Sequence, residues 1–139
     1  MVLLAATLTA CASGGFNLTQ SRDNIPPANY RADILAFLRT YLNDPTNIRE
    51  AALSQPAILR VGSTPRYVAC VRFNAKNSRG QYAGLIDTAA VFEAGKLSRF
   101  IDLTPDETAQ DAAIRAQLRE PCGQATYAPF PELQQLTRS

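Results

Sequence analysis

Arg66-Tyr67-Val68-Ala69-Cys70-Val71-Arg72-Phe73-Asn74 decides the fold, because Tyr67, Ala69, Val71 and Phe73 fall on one side of an alternating pattern and Arg72 and Asn74 on the other. A two-residue period of this kind predicts a β-strand. Working outward on the C-terminal side, Asn77-Ser78-Arg79-Gly80 is turn chemistry, and residues 82–92 form a second, longer apolar run in which Gly84 and Asp87 mark a bulge or break. Glu93-Ala94-Gly95-Lys96 supplies a glycine-containing hairpin loop before Leu97-Ser98-Arg99-Phe100-Ile101-Asp102. Loops this short predict an antiparallel meander of three strands.

On the N-terminal side the period changes. Tyr30, Ile34, Leu35, Phe37, Leu38, Tyr41 and Leu42 recur at three- and four-residue intervals, which predicts one face of an amphipathic helix. Asn29 is placed to cap it, and Asn43-Asp44-Pro45 to end it, since the residue before proline avoids the helical region. The aromatic and leucine stripe reads as core. Asp44-Pro45 then predicts a short second helix through Leu53, with proline at its first position and Ser54-Gln55-Pro56 after it. Beyond the meander, Thr104-Pro105-Asp106-Glu107 has the form of a capping box and predicts a helix to about Arg119. Its face is mostly Ala109, Ala112, Ala113 and Ala116, so it buries little area and needs something else to pin it.

Composition narrows the functional classes. A chain of 139 residues with 46% hydrophobic and 19% charged residues suits one globular domain. No histidine is present, which removes Ser/His and Cys/His catalytic arrangements and histidine-ligated metal sites. The formal charge of +2 is too small to imply nucleic acid as a partner.

The uncharged run Met1-Val2-Leu3-Leu4-Ala5-Ala6-Thr7-Leu8-Thr9-Ala10 leads into Cys11-Ala12-Ser13-Gly14-Gly15. It reads as the apolar region of a secretory signal with a small-residue cleavage site, and it is half the length of about 20 residues that a spanning helix needs. Leu8-Thr9-Ala10-Cys11 resembles the lipobox of bacterial lipoproteins, with the absence of a preceding Lys or Arg as the one departure. That resemblance implies cleavage after Ala10 and acylation of Cys11 with two or three chains. Two chains suffice for stable anchoring at about 0.8 kcal/mol per buried methylene. It also implies a bacterial envelope location, and Ala12 in place of an aspartate points to the outer membrane. The alternative is an N-terminal core helix with Cys11 an ordinary thiol. Residues 12–28 lack periodicity and read as a tether that reaches about 56 to 61 Å when extended.

With Cys11 assigned to lipid, Cys70 and Cys122 remain, and an even pair in an exported protein reads as a disulfide that staples the late helix to the sheet. A redox or metal-binding pair lacks both a Cys-x-x-Cys spacing and any histidine. Arg60, Arg66, Arg72, Lys76 and Arg79 occur with no acidic residue among them, which makes them candidates for an anionic partner. The alternative is a solvated strand face that pairs with Asp102, Asp106, Glu107, Asp111 and Glu120. Arg66, Cys70 and Arg72 share a strand face, so the disulfide and the basic surface compete for it. Asp87, Glu93 and Asp102 are carboxylates for acid/base work, although nothing in the sequence places two of them together. There is no phosphate-binding glycine loop or nucleophile elbow.

The expected fold class is α+β: N-terminal helices, a three-stranded antiparallel meander and a C-terminal helix, with helices packed on one face of the sheet. Residues 1–10 are assigned to a signal peptide, 11–28 to the lipidated N-terminus and flexible tether, and 29–139 to a single α+β domain. Over residues 30–102 this element order is similar to that of outer-membrane assembly lipoproteins, which place two helices before a three-stranded sheet. The likeness transfers no functional residue, because the Gly-Met-Thr signature of that family is missing from the chain. The expected function is a non-enzymatic lipoprotein on the periplasmic face of the envelope, with no cofactor, metal or nucleic acid, that binds or supports an envelope protein or anionic polymer. The alternative is a small ligand-binding or hydrolytic lipoprotein that uses its acidic residues.

Overall fold

The thirteen residues Thr64–Lys76 form the strand against which the others pair. In chain order the elements are α1 (Tyr30–Tyr41), β1 (Asp44–Ser54), β2 (Ala57–Val61), β3 (Thr64–Lys76), β4 (Ile86–Glu93), β5 (Lys96–Asp102), α2 (Ala112–Gly123), β6 (Tyr127–Pro129) and α3 (Pro131–Gln134). The computed structural model describes residues 24–138; Cys11 and the whole lipobox lie outside the described residues. The six strands make one antiparallel sheet in the order β5-β4-β3-β1-β6, with β2 paired to β3 alongside β1. β1 takes the C-terminal half of β3 and β2 the N-terminal half, and the break between them falls at Gln55-Pro56, where proline has no N–H to offer the ladder.

The meander is present as β3-β4-β5. Its second turn closes on Ala94 and Gly95, both at positive φ, as a two-residue hairpin between right-twisted strands favours. The three-stranded sheet is nonetheless corrected to six strands, and the predicted helix over residues 44–53 is strand β1. The cause is legible in its burial. Pro45, Ile48 and Ala51 point inward at a spacing of three, which imitates a helix. Two irregularities of register lie on either side of Arg49: β1 advances five residues against two on β3 before it, and three against two after it. Asn47 and Glu50 take up the distortion at φ of 53° and 55°. Asp44 also starts the strand rather than a helix, because its Oδ1 accepts both the Thr46 N–H at 2.9 Å and the Thr46 hydroxyl at 2.5 Å. The order of two helices before the sheet is thus replaced by one helix before β1.

The sheet is covered on both faces, which corrects the expectation of helices on one face only. α1 and α3 pack on the side of Ala69, Val71 and Phe73, where Ile34, Leu38, Phe130 and Leu133 are fully buried. α2 packs on the side of Val68 and Cys70, with Leu118 and Cys122 its only buried residues. Residues 68–71 are therefore buried without interruption, as in a strand covered on both sides. The helix starts eight residues after Thr104, because Asp106 accepts from the Thr108 N–H and hydroxyl and so closes a turn where the first helical turn was expected. Residues 127–136 were read as nothing in particular, yet β6 and α3 seal the outer edge of β1 through Phe130, Leu133 and Leu136. Asn24 and Pro27 are buried, so the packed part of the chain includes residues placed in the tether by sequence.

Cys70 and Cys122 are bonded, with Sγ atoms 2.09 Å and Cα atoms 5.4 Å apart. This bond and the side chain of Gln117, which accepts from the Gly62 N–H at 2.8 Å and donates to its carbonyl at 3.0 Å, hold a helix that little apolar area would hold. The closed loop has a sequence separation of 52, for which chain entropy gives roughly 4 kcal/mol. A Cys70→Ala/Cys122→Ala protein should therefore melt at a markedly lower temperature than the oxidised chain in a thermal scan. An unchanged melting temperature would show that α2 is held by packing alone.

Candidate functional site

Beyond the end of α2, the face that carries Cys70 continues along β3 as Arg72, Asn74 and Lys76. Here no helix covers the sheet. Arg72 lies directly across from Asp87 on β4 and binds it with both arms of its fork, Nε to Oδ1 at 2.6 Å and Nη2 to Oδ2 at 3.1 Å. The guanidinium also stacks on the ring of Tyr127, 4.2 Å from its centroid. The hydrogen bond from Asp87 pushes the Arg72 guanidinium above its ordinary value, against an opposing contribution from partial burial.

The second half of the face forms around Tyr82. Its backbone bridges Lys76, and its hydroxyl donates across β3 to the Asn47 carbonyl at 2.6 Å. Arg49 lies over the ring at 3.8 Å, and the Lys76 ammonium is 5.4 Å from the same centroid. Asn74, in register with Arg49, accepts from the Gly84 N–H at 3.0 Å and so fixes the loop that carries Tyr82. Gly84 sits at φ +100°, a conformation that a side chain would strain. Arg119 of α2 completes the row, since it lines a groove of about 490 Å³ together with Arg72, Leu85, Asp87 and Thr104. Four cations thus share this face with two carboxylates, Asp87, which is bound to Arg72, and Asp44, which lies across from Lys76. At the rim, Asp44 pairs with Arg138 at 3.5 Å, and its carboxyl is held below the usual range by the Thr46 hydrogen bonds first and by Arg138 and Lys76 after them.

The five basic residues singled out in the sequence do not form one patch. Arg60 donates to the Ser63 carbonyl at the β2–β3 turn, and Arg79 sits at the turn beyond the other end of β3. From Pro65, which pairs with Arg60, to Lys76 the strand spans roughly 36 Å. Arg66 pairs with Glu93 at 3.5 Å, near the Arg60 end. Arg72 and Lys76 belong to the face just described. Among the described residues, none of the five forms an ion pair with Asp102, Asp106, Glu107, Asp111 or Glu120; Asp111 is bound to Arg115 instead. The competition between disulfide and basic surface resolves by position along β3: α2 is bonded to Cys70, while Arg72 binds Asp87, lies over Tyr127 and borders one groove with Arg119. Arg49, Tyr82, Tyr127 and Arg119 were missed, because pairing to distant strands and loops brings them here.

The candidate carboxylates do not converge. Asp87 is engaged by Arg72, and Glu93 lies six residues along β4 at the hairpin end, about 20 Å away. Asp102 is on the opposite face, where it accepts from the Thr104 N–H and borders an apolar cleft of about 400 Å³ lined by Tyr41, Phe73, Ala75 and Ile86. Comparison with family models, with curated proteins and with solved structures finds no match.

Tyr127 joins this face to the disulfide. Its hydroxyl donates to the Cys122 carbonyl at 2.8 Å, and burial, with the negative charge of Asp87, pushes its phenol up to about 12 against the lowering effect of Arg72. The proton is held more tightly folded than unfolded, so this group's contribution to stability is intact below pH 10 and lost as pH rises from the ordinary value of 10.0 to about 12. In a spectrophotometric phenolate titration, the difference between the native chain and Tyr127→Phe should be one tyrosine that ionises near pH 12. A difference curve centred at pH 10 would place the ring in water.

Proposed function

We propose that this chain is an exported bacterial lipoprotein, acylated at Cys11, whose domain binds an anionic envelope partner without catalysing a reaction. The observation that carries export is the Cys70–Cys122 bond, since disulfides persist in oxidising compartments and are rare in the cytosol. It agrees with the lipobox-like Leu8-Thr9-Ala10-Cys11. The twelve residues between Cys11 and Asn24 reach about 43 Å at full extension, enough to let the domain stand off a lipid surface. Among the described residues no helix is long and apolar enough to cross a membrane, so on this reading attachment rests on the acyl chains. Ala12 after the acylated cysteine favours the outer membrane, with the domain on its periplasmic side.

The binding half of the reading is supported by the row of Arg49, Arg72, Lys76 and Arg119, four cations against the carboxylates of Asp87 and Asp44. An anionic polymer or the acidic surface of an envelope protein has the complementary charge. The hydrolytic alternative draws no support from the positions of Asp87, Glu93 and Asp102, which lie on different faces or at different ends of β4.

The test of anchoring is intact mass of the protein isolated from bacterial envelopes. Cleavage after Ala10 with added lipid is expected, and Cys11→Ser should leave an unacylated chain that washes off membranes. A mature protein that retains Met1 without lipid would contradict the proposal.

A further inference from the structure

The cationic face holds one arrangement twice. Arg72 lies on Tyr127 at 4.2 Å and Arg49 lies on Tyr82 at 3.8 Å. The first is complete: the Asp87 carboxylate occupies the Arg72 fork at 2.6 and 3.1 Å. The second is not, because among the described residues no carboxylate lies within ion-pair distance of Arg49 or of Lys76. We propose that Arg49, held on Tyr82 beside Lys76, is the binding site for an oxyanion, carboxylate or phosphate, carried by an extended polyanion. This rests on the reading of the face as a surface for an anionic partner.

The backbone is shaped for it. Register shifts on both sides of Arg49 put the non-glycine residues Asn47 and Glu50 in the left-handed region, a conformation unfavourable for a residue such as Glu50. Bulges re-aim side chains, and strain of this kind gathers at binding sites. Here they deliver Arg49 to the ring of Tyr82. The ring in turn is fixed from both ends, by the backbone bridge to Lys76 and by the hydrogen bond of its hydroxyl to the Asn47 carbonyl. A guanidinium held over a fixed ring has lost much of its freedom and keeps N–H donors for a planar or tetrahedral oxyanion.

The neighbouring charges agree with this. Asp44, the carboxylate across from Lys76, is bound by Thr46 and Arg138, and Lys76 acts on it through its charge without forming an ion pair. Lys76 and Arg49 flank one ring, so their fields add where a ligand oxygen would approach. An extended ligand is favoured over a lone ion because Arg119 adds a further cation beside the Arg72–Asp87 pair, in the groove that the three line together. A single exposed guanidinium competes poorly with water and salt, whereas repeated charges on one chain engage both positions at once.

The test uses the full chain in neutral detergent, with poly-L-glutamate as the carboxylate probe and inorganic polyphosphate as the phosphate probe. One or both should bind, and Arg49→Gln should weaken the interaction roughly tenfold or more, as expected for a charge-assisted bidentate contact. Tyr82→Leu should weaken it although Arg49 remains, while Arg60→Gln, remote from the face, should change it little. Preference for one probe identifies the group; equal binding supports recognition of the oxyanion charge that the two share. If Arg119→Gln abolishes binding and Arg49→Gln leaves it unchanged, the anionic-partner reading stands and this site is overturned. If neither polymer binds, or neither substitution matters, both are overturned.

Discussion

A strand covered on both faces needs something to hold each cover in place, and on one face of β3 that task falls to the Cys70–Cys122 bond. α1 and α3 bring Ile34, Leu38, Phe130 and Leu133 to the other face, an ordinary apolar seal. α2 brings only Leu118 and Cys122. The covalent link substitutes for the missing area, and its effects run beyond the helix. Once Cys122 is fixed, its carbonyl fixes the Tyr127 hydroxyl, the Tyr127 ring supports Arg72, and Arg72 holds Asp87 on the adjacent strand. Loss of the first member removes one support from Tyr127 and Arg72, which keep their strand pairing with Ser54 and Asp87.

The edges of the sheet are managed by separate means, and one of them generates the candidate site. The outer edge of β1 is closed by β6 and α3, with the Phe130 N–H bonded to the Ala51 carbonyl at 2.9 Å and the Ala51 N–H to Gln134 at 3.2 Å. The β5 edge carries Lys96 and Arg99 and a register shift near Ser98, features that discourage pairing with another chain. Two further irregularities in β1 have a different outcome: they flank Arg49, which stays paired with Asn74 and lies over the Tyr82 ring at 3.8 Å.

The elements legible in the sequence are those whose period and turn chemistry are local. The alternation from Arg66 to Asn74, the Ala94-Gly95 turn and the stripe of α1 are of that kind. Residues 44–53 carry a helix-start signal in Asp44-Pro45, but Asp44 binds Thr46 instead and two bulges carry the segment on as a strand whose inward positions fall three apart. The Thr104 start was misread because Asp106 can serve the backbone as a turn as readily as a cap. Pro129 and Pro131 conceal β6 and α3, since neither a strand nor a helix pattern survives them over a length that could be recognised. In the site, the shared side of Arg72 and Lys76 follows from even spacing alone. Tyr127 and Tyr82 gain their roles only through strand pairing and the path of a loop, which no local pattern encodes.

The dependence of the cationic face on the disulfide is best tested by residue-resolved amide hydrogen exchange on the full chain, oxidised and reduced, with the side-chain Nε–H of Arg72 followed alongside. The account predicts that reduction removes protection from α2 and β6 and frees the Arg72 Nε–H to exchange, while β3, β4 and β5 keep their protection and Arg49 is unaffected. Protection that is unchanged in α2, or lost evenly across the whole sheet, would contradict it.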